Sequence, residues 1–170
     1  LTGSLTYISI MAYVVYTKNN LHEQIGSIIL GSLIILWAVR LGSFLFIRIK
    51  KAGEDKRFRE IKTSFTRFFM LWTISGMWVS LCSMCALTAI ASDDGVILNN
   101  LFYFGLATFL IGITIEVIAD KQKTNFRKDP KNKDKFINEG LWAKSRHPNY
   151  VGEITLWTGV AIISFSSLDG

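Results

Sequence analysis

The chain is short of the residues that usually mark a soluble enzyme. Its 170 residues include two cysteines, Cys82 and Cys85, both inside one apolar run. That excludes a disulfide framework, and with no further ligands nearby it excludes a cysteine metal site. The pair reads as small buried residues. No Gly-x-Gly-x-x-Gly, P-loop, nucleophile elbow or His-Glu-x-x-His motif occurs, so a nucleotide would have to bind without a Rossmann unit. The apolar runs lack sustained alternation and are too long for strands, which excludes a β architecture. No internal repeat, low-complexity tract or removable signal peptide is evident. Charge is scarce as well, at 19% of the chain, and it is gathered into short blocks.

What lies between the blocks is apolar. Overall the chain is 50% hydrophobic with a mean hydropathy of +0.33. A soluble domain would also be near half apolar, so the average decides little. The distribution decides more, because the apolar runs approach the ~20 residues needed to cross roughly 30 Å of hydrocarbon. The expected spans are Leu1 to Thr17, Gln24 to Ile47, Phe68 to Ile90, Leu101 to Ala119, and a fifth starting at Asn149 and still running at Ser166. The expectation is an all-α, polytopic transmembrane bundle of about five spans, forming one domain over residues 1–170. The chain starts at Leu1 and stops at Ser-Ser-Leu-Asp-Gly, and it is expected to be cut at both ends.

The formal charge is +6. Nucleic acid is excluded as its cause, because the cations lie in loops between apolar spans. Residues 48–67 and 120–147 together hold 17 of the 19 Lys and Arg, the exceptions being Lys18 and Arg40. Two spans separate these loops, so five spans place both on one side, and the positive-inside rule makes that side cytoplasmic. The expected setting is a bacterial inner membrane or a eukaryotic endomembrane.

Chemistry concentrates where the chain re-enters the membrane. Arg146, His147, Asn149, Tyr150 and Glu153 crowd into eight residues. Pro148 suits a first helical turn, where its missing N–H costs little. Asn149 and Glu153 are four apart and share a face. A lone carboxylate at the bilayer's edge is expensive, so Glu153 should face protein, a cation or a ligand. The competing reading is an interfacial anchor, with Trp142 and Tyr150 at the headgroups and Arg146 and His147 on lipid phosphate. Anchoring would need neither Asn149 nor Glu153. A second constellation closes the fourth span. Glu116 and Asp120 share one face, and Lys123 and Arg127 continue the stripe. It suits a polar cofactor, carboxylates accepting from hydroxyls or an amide and cations meeting phosphates, or simple ion pairing along an emerging helix. Arg40, inside the second span, is placed either to neutralise Glu116 or Glu153 or to snorkel to the interface. Lys128 to Lys135, interrupted by Pro130, reads as an exposed turn. Gly53-Glu54-Asp55 reads as a solvated turn, and His22 and Glu23 take no role.

The block Ser145-Arg-His-Pro-Asn-Tyr-Val-Gly-Glu153 resembles the steroid 5α-reductase-like membrane proteins, most closely their bacterial-type branch. Weaker matches recur in order along the chain: Trp37-Ala-Val-Arg40-Leu-Gly42, Gly53-Glu54-Asp55 with Arg57, Ala119-Asp120 with Lys123 and Phe126, and Gly140-Leu-Trp142. The resemblance implies a larger helix bundle in full-length members, with NADPH held between helices. It implies hydride transfer to an activated carbon–carbon double bond of a lipid-like or steroid-like substrate. By that resemblance Asp120, Arg127, Asn149, Tyr150 and Glu153 match cofactor-contacting positions. Arg146 and His147 belong to the branch's motif, and Glu116 joins them from the reading of its span. The carbonyl-polarising Glu and Tyr of the reductases find no match here, so the general acid is unassigned. The family's C-terminal segment, which completes the adenosine site, would follow Gly170. Isoprenylcysteine and phospholipid methyltransferases share a similar Arg-His-Pro-x-Tyr block and bind S-adenosylmethionine there. A membrane methyltransferase is therefore the alternative, and a non-enzymatic membrane protein the third reading.

Overall fold

The computed structural model describes residues 2–17, 25–52, 64–132 and 135–168. Among them lie five α-helices: α1 (Thr2–Thr17), α2 (Ile25–Ala52), α3 (Phe65–Ala91), α4 (Asn100–Lys128) and α5 (Pro148–Phe165). No strand occurs among the described residues, and the fold is an all-α membrane bundle. The helices match the five expected spans in order. By length and apolar character alone, Ile25–Lys50, Phe65–Ala91 and Asn100–Lys128 are long enough to cross a membrane, while Gly3–Val14 within α1 is a shorter apolar helix. The 18 residues of α5 reach about 27 Å at 1.5 Å per residue, but its opening Pro-Asn-Tyr-Val-Gly-Glu is polar.

Two helices run well past their apolar stretches. α2 continues to Ala52 and α4 to Lys128, because Lys, Arg and Gln are good helix formers and nothing interrupts them. α4 is opened by Asn99, whose side chain accepts from the Phe102 amide at 2.9 Å. It is closed before Pro130, with Asp129 extended at φ −80°, ψ 119°, as expected of a residue preceding proline. The apolar helices accommodate their hydroxyls internally. Thr73, Ser83, Thr108, Thr114 and Thr155 each donate to the carbonyl four residues back, which satisfies these five hydroxyls within their own helices.

The described residues form two compact units, one ending at Ile97 and the other beginning at Leu98. In the first, α1 and α2 pack antiparallel. The Tyr7 and Trp37 rings meet edge-on at 5.4 Å, and a Cβ on Gly42 would lie 3.0 Å from Ser4. The Val96 amide, beyond the end of α3, donates to the buried Ser27 hydroxyl at 3.0 Å. The Arg40 Nε is buried, and the residue as a whole is half-buried. Large apolar side chains stand exposed along α3, including Phe69, Ile74, Trp78 and Leu81, a surface suited to hydrocarbon rather than water. That explains one correction. Cys85 is exposed and Cys82 half-buried, because the outer face of a membrane helix can be apolar without being covered by protein. Gly53-Glu54-Asp55, Arg57, His22 and Glu23 lie outside the described residues.

Candidate functional site

The second unit is built on one close helix pair. α4 and α5 run antiparallel, and glycines let their backbones touch. A Cβ on Gly152 would lie 2.6 Å from the Glu116 nitrogen and 2.7 Å from the Gly112 carbonyl oxygen; one on Gly159 would lie 2.5 Å from the Phe109 nitrogen. Gly112 meets Leu156, and Gly105 meets Ile163. On each helix the two glycines are seven residues apart, so one stripe of small residues faces another. Any larger side chain would force the pair apart.

This register places the polar groups. Glu116 is level with Gly152, and carried one turn further the same register sets Asp120 level with Pro148. Glu116 is 3% exposed and Asp120 9%, so both carboxylates are inside the protein. Asn149 and Glu153, which flank Gly152, are half-buried. The Asn149 Oδ1 is buried with no hydrogen-bond partner, a costly condition for an amide oxygen. Pro148 occupies the first turn of α5, and His147, at φ −142°, ψ 63°, precedes it. The His147 carbonyl accepts from the Tyr150 and Val151 amides at 3.0 and 3.2 Å, which starts the helix without a side-chain cap.

The segment leading into α5 is fastened to α4. Gly140 has φ 58°, a left-handed conformation that suits glycine, and packs against the Gln122 side chain. Gln122 accepts from the Leu141 amide at 3.0 Å. One residue on, the buried Trp142 donates from its indole Nε1 to the Ala119 carbonyl at 3.0 Å. The Lys123 ammonium sits over the Trp142 ring, 4.5 Å from its centre.

These fastenings bring the cations of α4 and of the return segment to one groove of about 720 Å³. Lys123 and Arg127 come from α4, Lys135, Arg146 and His147 from the return segment, with Phe126, Phe136 and Trp142 between them. The His147 and Tyr150 rings stack at 5.4 Å and 30°. The pair of elements is thus graded: buried carboxylates and an amide at depth, a half-buried lysine, then exposed arginines. Such a strip offers acceptors to N–H or O–H donors at its inner end and cations to anionic oxygens at its mouth.

Of the residues picked out from sequence, Arg127, Arg146 and His147 line this groove. Glu116, Asp120, Asn149 and Glu153 lie along the same helix pair, inward of it. Tyr150 is 56% exposed and reaches the groove only through its stack on His147. Three features escaped the sequence reading. The glycine stripes were visible as 105/112 and 152/159, each seven apart. Trp142 had the reading of an interfacial aromatic rather than a buried anchor. Gln122 had no signal at all.

A family profile described as "Protein of unknown function (DUF1295)" matches residues 2–170. The probable O-methyltransferase ustE of Ustilaginoidea virens is 30% identical over 58% of this chain and 40% of its own length. Steroid 5-alpha-reductase DET2 of Gossypium hirsutum is 35% identical over 38% of this chain and 25% of its own length. The 3-oxo-5-alpha-steroid 4-dehydrogenase 1 of Mus musculus is 29% identical over 61% and 39%. The chain therefore spans less than half the length of each of these relatives. No solved structure matches it significantly.

Proposed function

Because the chain belongs to the DUF1295 family, within the steroid 5α-reductase-like superfamily, we propose that it is an integral membrane reductase using NADPH on a lipid-like or steroid-like substrate. NADPH supplies hydride to an activated carbon–carbon double bond. The observation that supports this reading is the graded polar strip of α4 and α5. Its inner end holds the unpartnered Asn149 oxygen and the buried Glu116 and Asp120. A carboxamide and ribose hydroxyls are donors of the kind that an amide oxygen and carboxylates accept from. Its mouth gathers Arg127, Arg146 and His147, which suit phosphate oxygens. Glu153 and Tyr150 complete the set, Glu153 toward the hydroxyls and Tyr150 as the ring that holds His147. By the positive-inside rule the basic mouth faces the cytoplasm.

Binding tests this reading directly. The protein purified in detergent is expected to bind NADPH saturably. Asn149→Ala and Glu153→Ala are each expected to weaken that binding at least about ten-fold, the scale of losing hydrogen bonds to a buried polar group. Saturable binding of S-adenosylmethionine with none of NADPH would overturn it. That outcome is the second reading, a membrane methyltransferase, and the likeness to a probable O-methyltransferase over 58% of the chain supports it. Both readings place the ligand on the same strip; only the reductase requires phosphate to be bound at its mouth.

A further inference from the structure

One cation of the groove rests on an aromatic ring. Lys123 lies over the face of Trp142 at 4.5 Å from the ring centre. That ring is itself 8% exposed and pinned by its Nε1 donating to the Ala119 carbonyl at 3.0 Å. Ala119 is one turn before Lys123 on α4, so α4 anchors the ring and the ring then holds a side chain of α4. The return segment is fixed a second time where Gln122 accepts from Leu141 at 3.0 Å. Lys123, Trp142, Arg127 and Arg146 all line the same groove.

A lysine on an exposed helix end ordinarily spreads over many rotamers, and ordering it on a ligand costs free energy. A ring face beneath the ammonium removes part of that cost. We propose that Trp142 is a positioning residue that presents the Lys123 ammonium to phosphate oxygens in this groove, and so sets the groove's affinity for phosphate esters. The inference rests on reading the groove as the phosphate half of the cofactor site. Arginines at the mouth supply fork-shaped donors; the ring-held lysine supplies a fixed point charge behind them.

The test is a double-substitution cycle with inorganic pyrophosphate as probe, titrated against the detergent-purified protein, with NADPH titrated in parallel. Lys123→Met is expected to weaken pyrophosphate binding roughly three- to ten-fold in the parent protein, from the loss of one charged donor. Trp142→Leu is expected to weaken it by a similar factor. In the Trp142→Leu background, Lys123→Met is expected to cost less than about two-fold, because the ammonium is no longer held. A merely structural role for Trp142 would leave the Lys123→Met effect at full size in both backgrounds, and that result overturns the proposal. So does a parent protein that binds no pyrophosphate. Pyrophosphate binding with the expected coupling but no NADPH binding upholds the Trp142–Lys123 pair and rejects the reductase reading. Should the leucine variant not fold, Trp142→Phe replaces it in the cycle; it shrinks the ring and removes its N–H anchor, so the Lys123→Met effect is expected to be smaller than in the parent protein, and an undiminished effect overturns the proposal.

Discussion

Gly152→Ala is the sharpest perturbation the fold offers. The added Cβ would lie 2.6 Å from the Glu116 nitrogen and 2.7 Å from the Gly112 oxygen. Both are backbone atoms that no rotamer change can move. Normal contact is about 3.5 Å or more, so α4 and α5 must separate by about 1 Å, or slide. Overpacking of this kind costs roughly 1–3 kcal/mol. The intrinsic gain of alanine over glycine in a helix, up to about 1 kcal/mol, offsets part of it. In a domain of this size 1 kcal/mol corresponds to roughly 2–4 °C in Tm, so a fall of several degrees is expected in detergent. The same displacement moves Glu116 away from Asn149 and Glu153, so NADPH affinity is expected to fall about ten-fold or more, in keeping with the sensitivity of sites to displacements near 1 Å. Gly76→Ala on α3 is the control. Its Cβ meets nothing within 4 Å, so Tm is expected to hold or rise. The assay is thermal unfolding followed by ligand titration on both variants. A Gly152→Ala protein with unchanged Tm and unchanged affinity would refute the close-packed register of α4 and α5.

Other substitutions separate stability from binding. Asn149→Ala removes a buried oxygen that has no partner, so ligand-free Tm is expected to be unchanged or slightly higher even as NADPH titration shows the loss of affinity. Ser27→Ala deprives the Val96 amide of its acceptor at 3.0 Å; leaving that buried N–H unpaired is expected to cost about 1–3 kcal/mol, read as lowered Tm. Asn99→Ala removes the acceptor of the Phe102 amide at the start of α4 and is expected to cost about 1 kcal/mol by the same measurement. Gly140→Ala strains a residue at φ 58° that packs on Gln122. It is expected to lower Tm and to weaken pyrophosphate binding together, because the return segment supplies one wall of the groove.

The membrane character of this chain is legible in its sequence, for a simple reason. A span's length is set by hydrocarbon thickness, and a helix can satisfy its own backbone within one continuous segment. Each apolar run therefore declares its helix without reference to the others. Helix ends were less legible: α4 continues beyond Ala119 to Lys128, because charged residues end an apolar run but not a helix. The Asn149–Glu153 and Glu116–Asp120 pairs were equally readable, since four-residue spacing on a helix is a local property.

What only the tertiary structure decided is which of those faces meet. That Gly152 packs on Glu116 is a fact about two segments far apart in the chain, and the alignment of the glycine stripes settles it. That Trp142 reaches the Ala119 carbonyl, 23 residues away, turns an aromatic that composition assigns to the interface into a buried anchor. The groove follows from that anchor, because it brings the cations of the return segment to those of α4. Composition counted these cations and placed them beside the bilayer. Their convergence needed the hydrogen bonds and helix contact that hold the two elements together, and those depend on long-range packing rather than on local sequence.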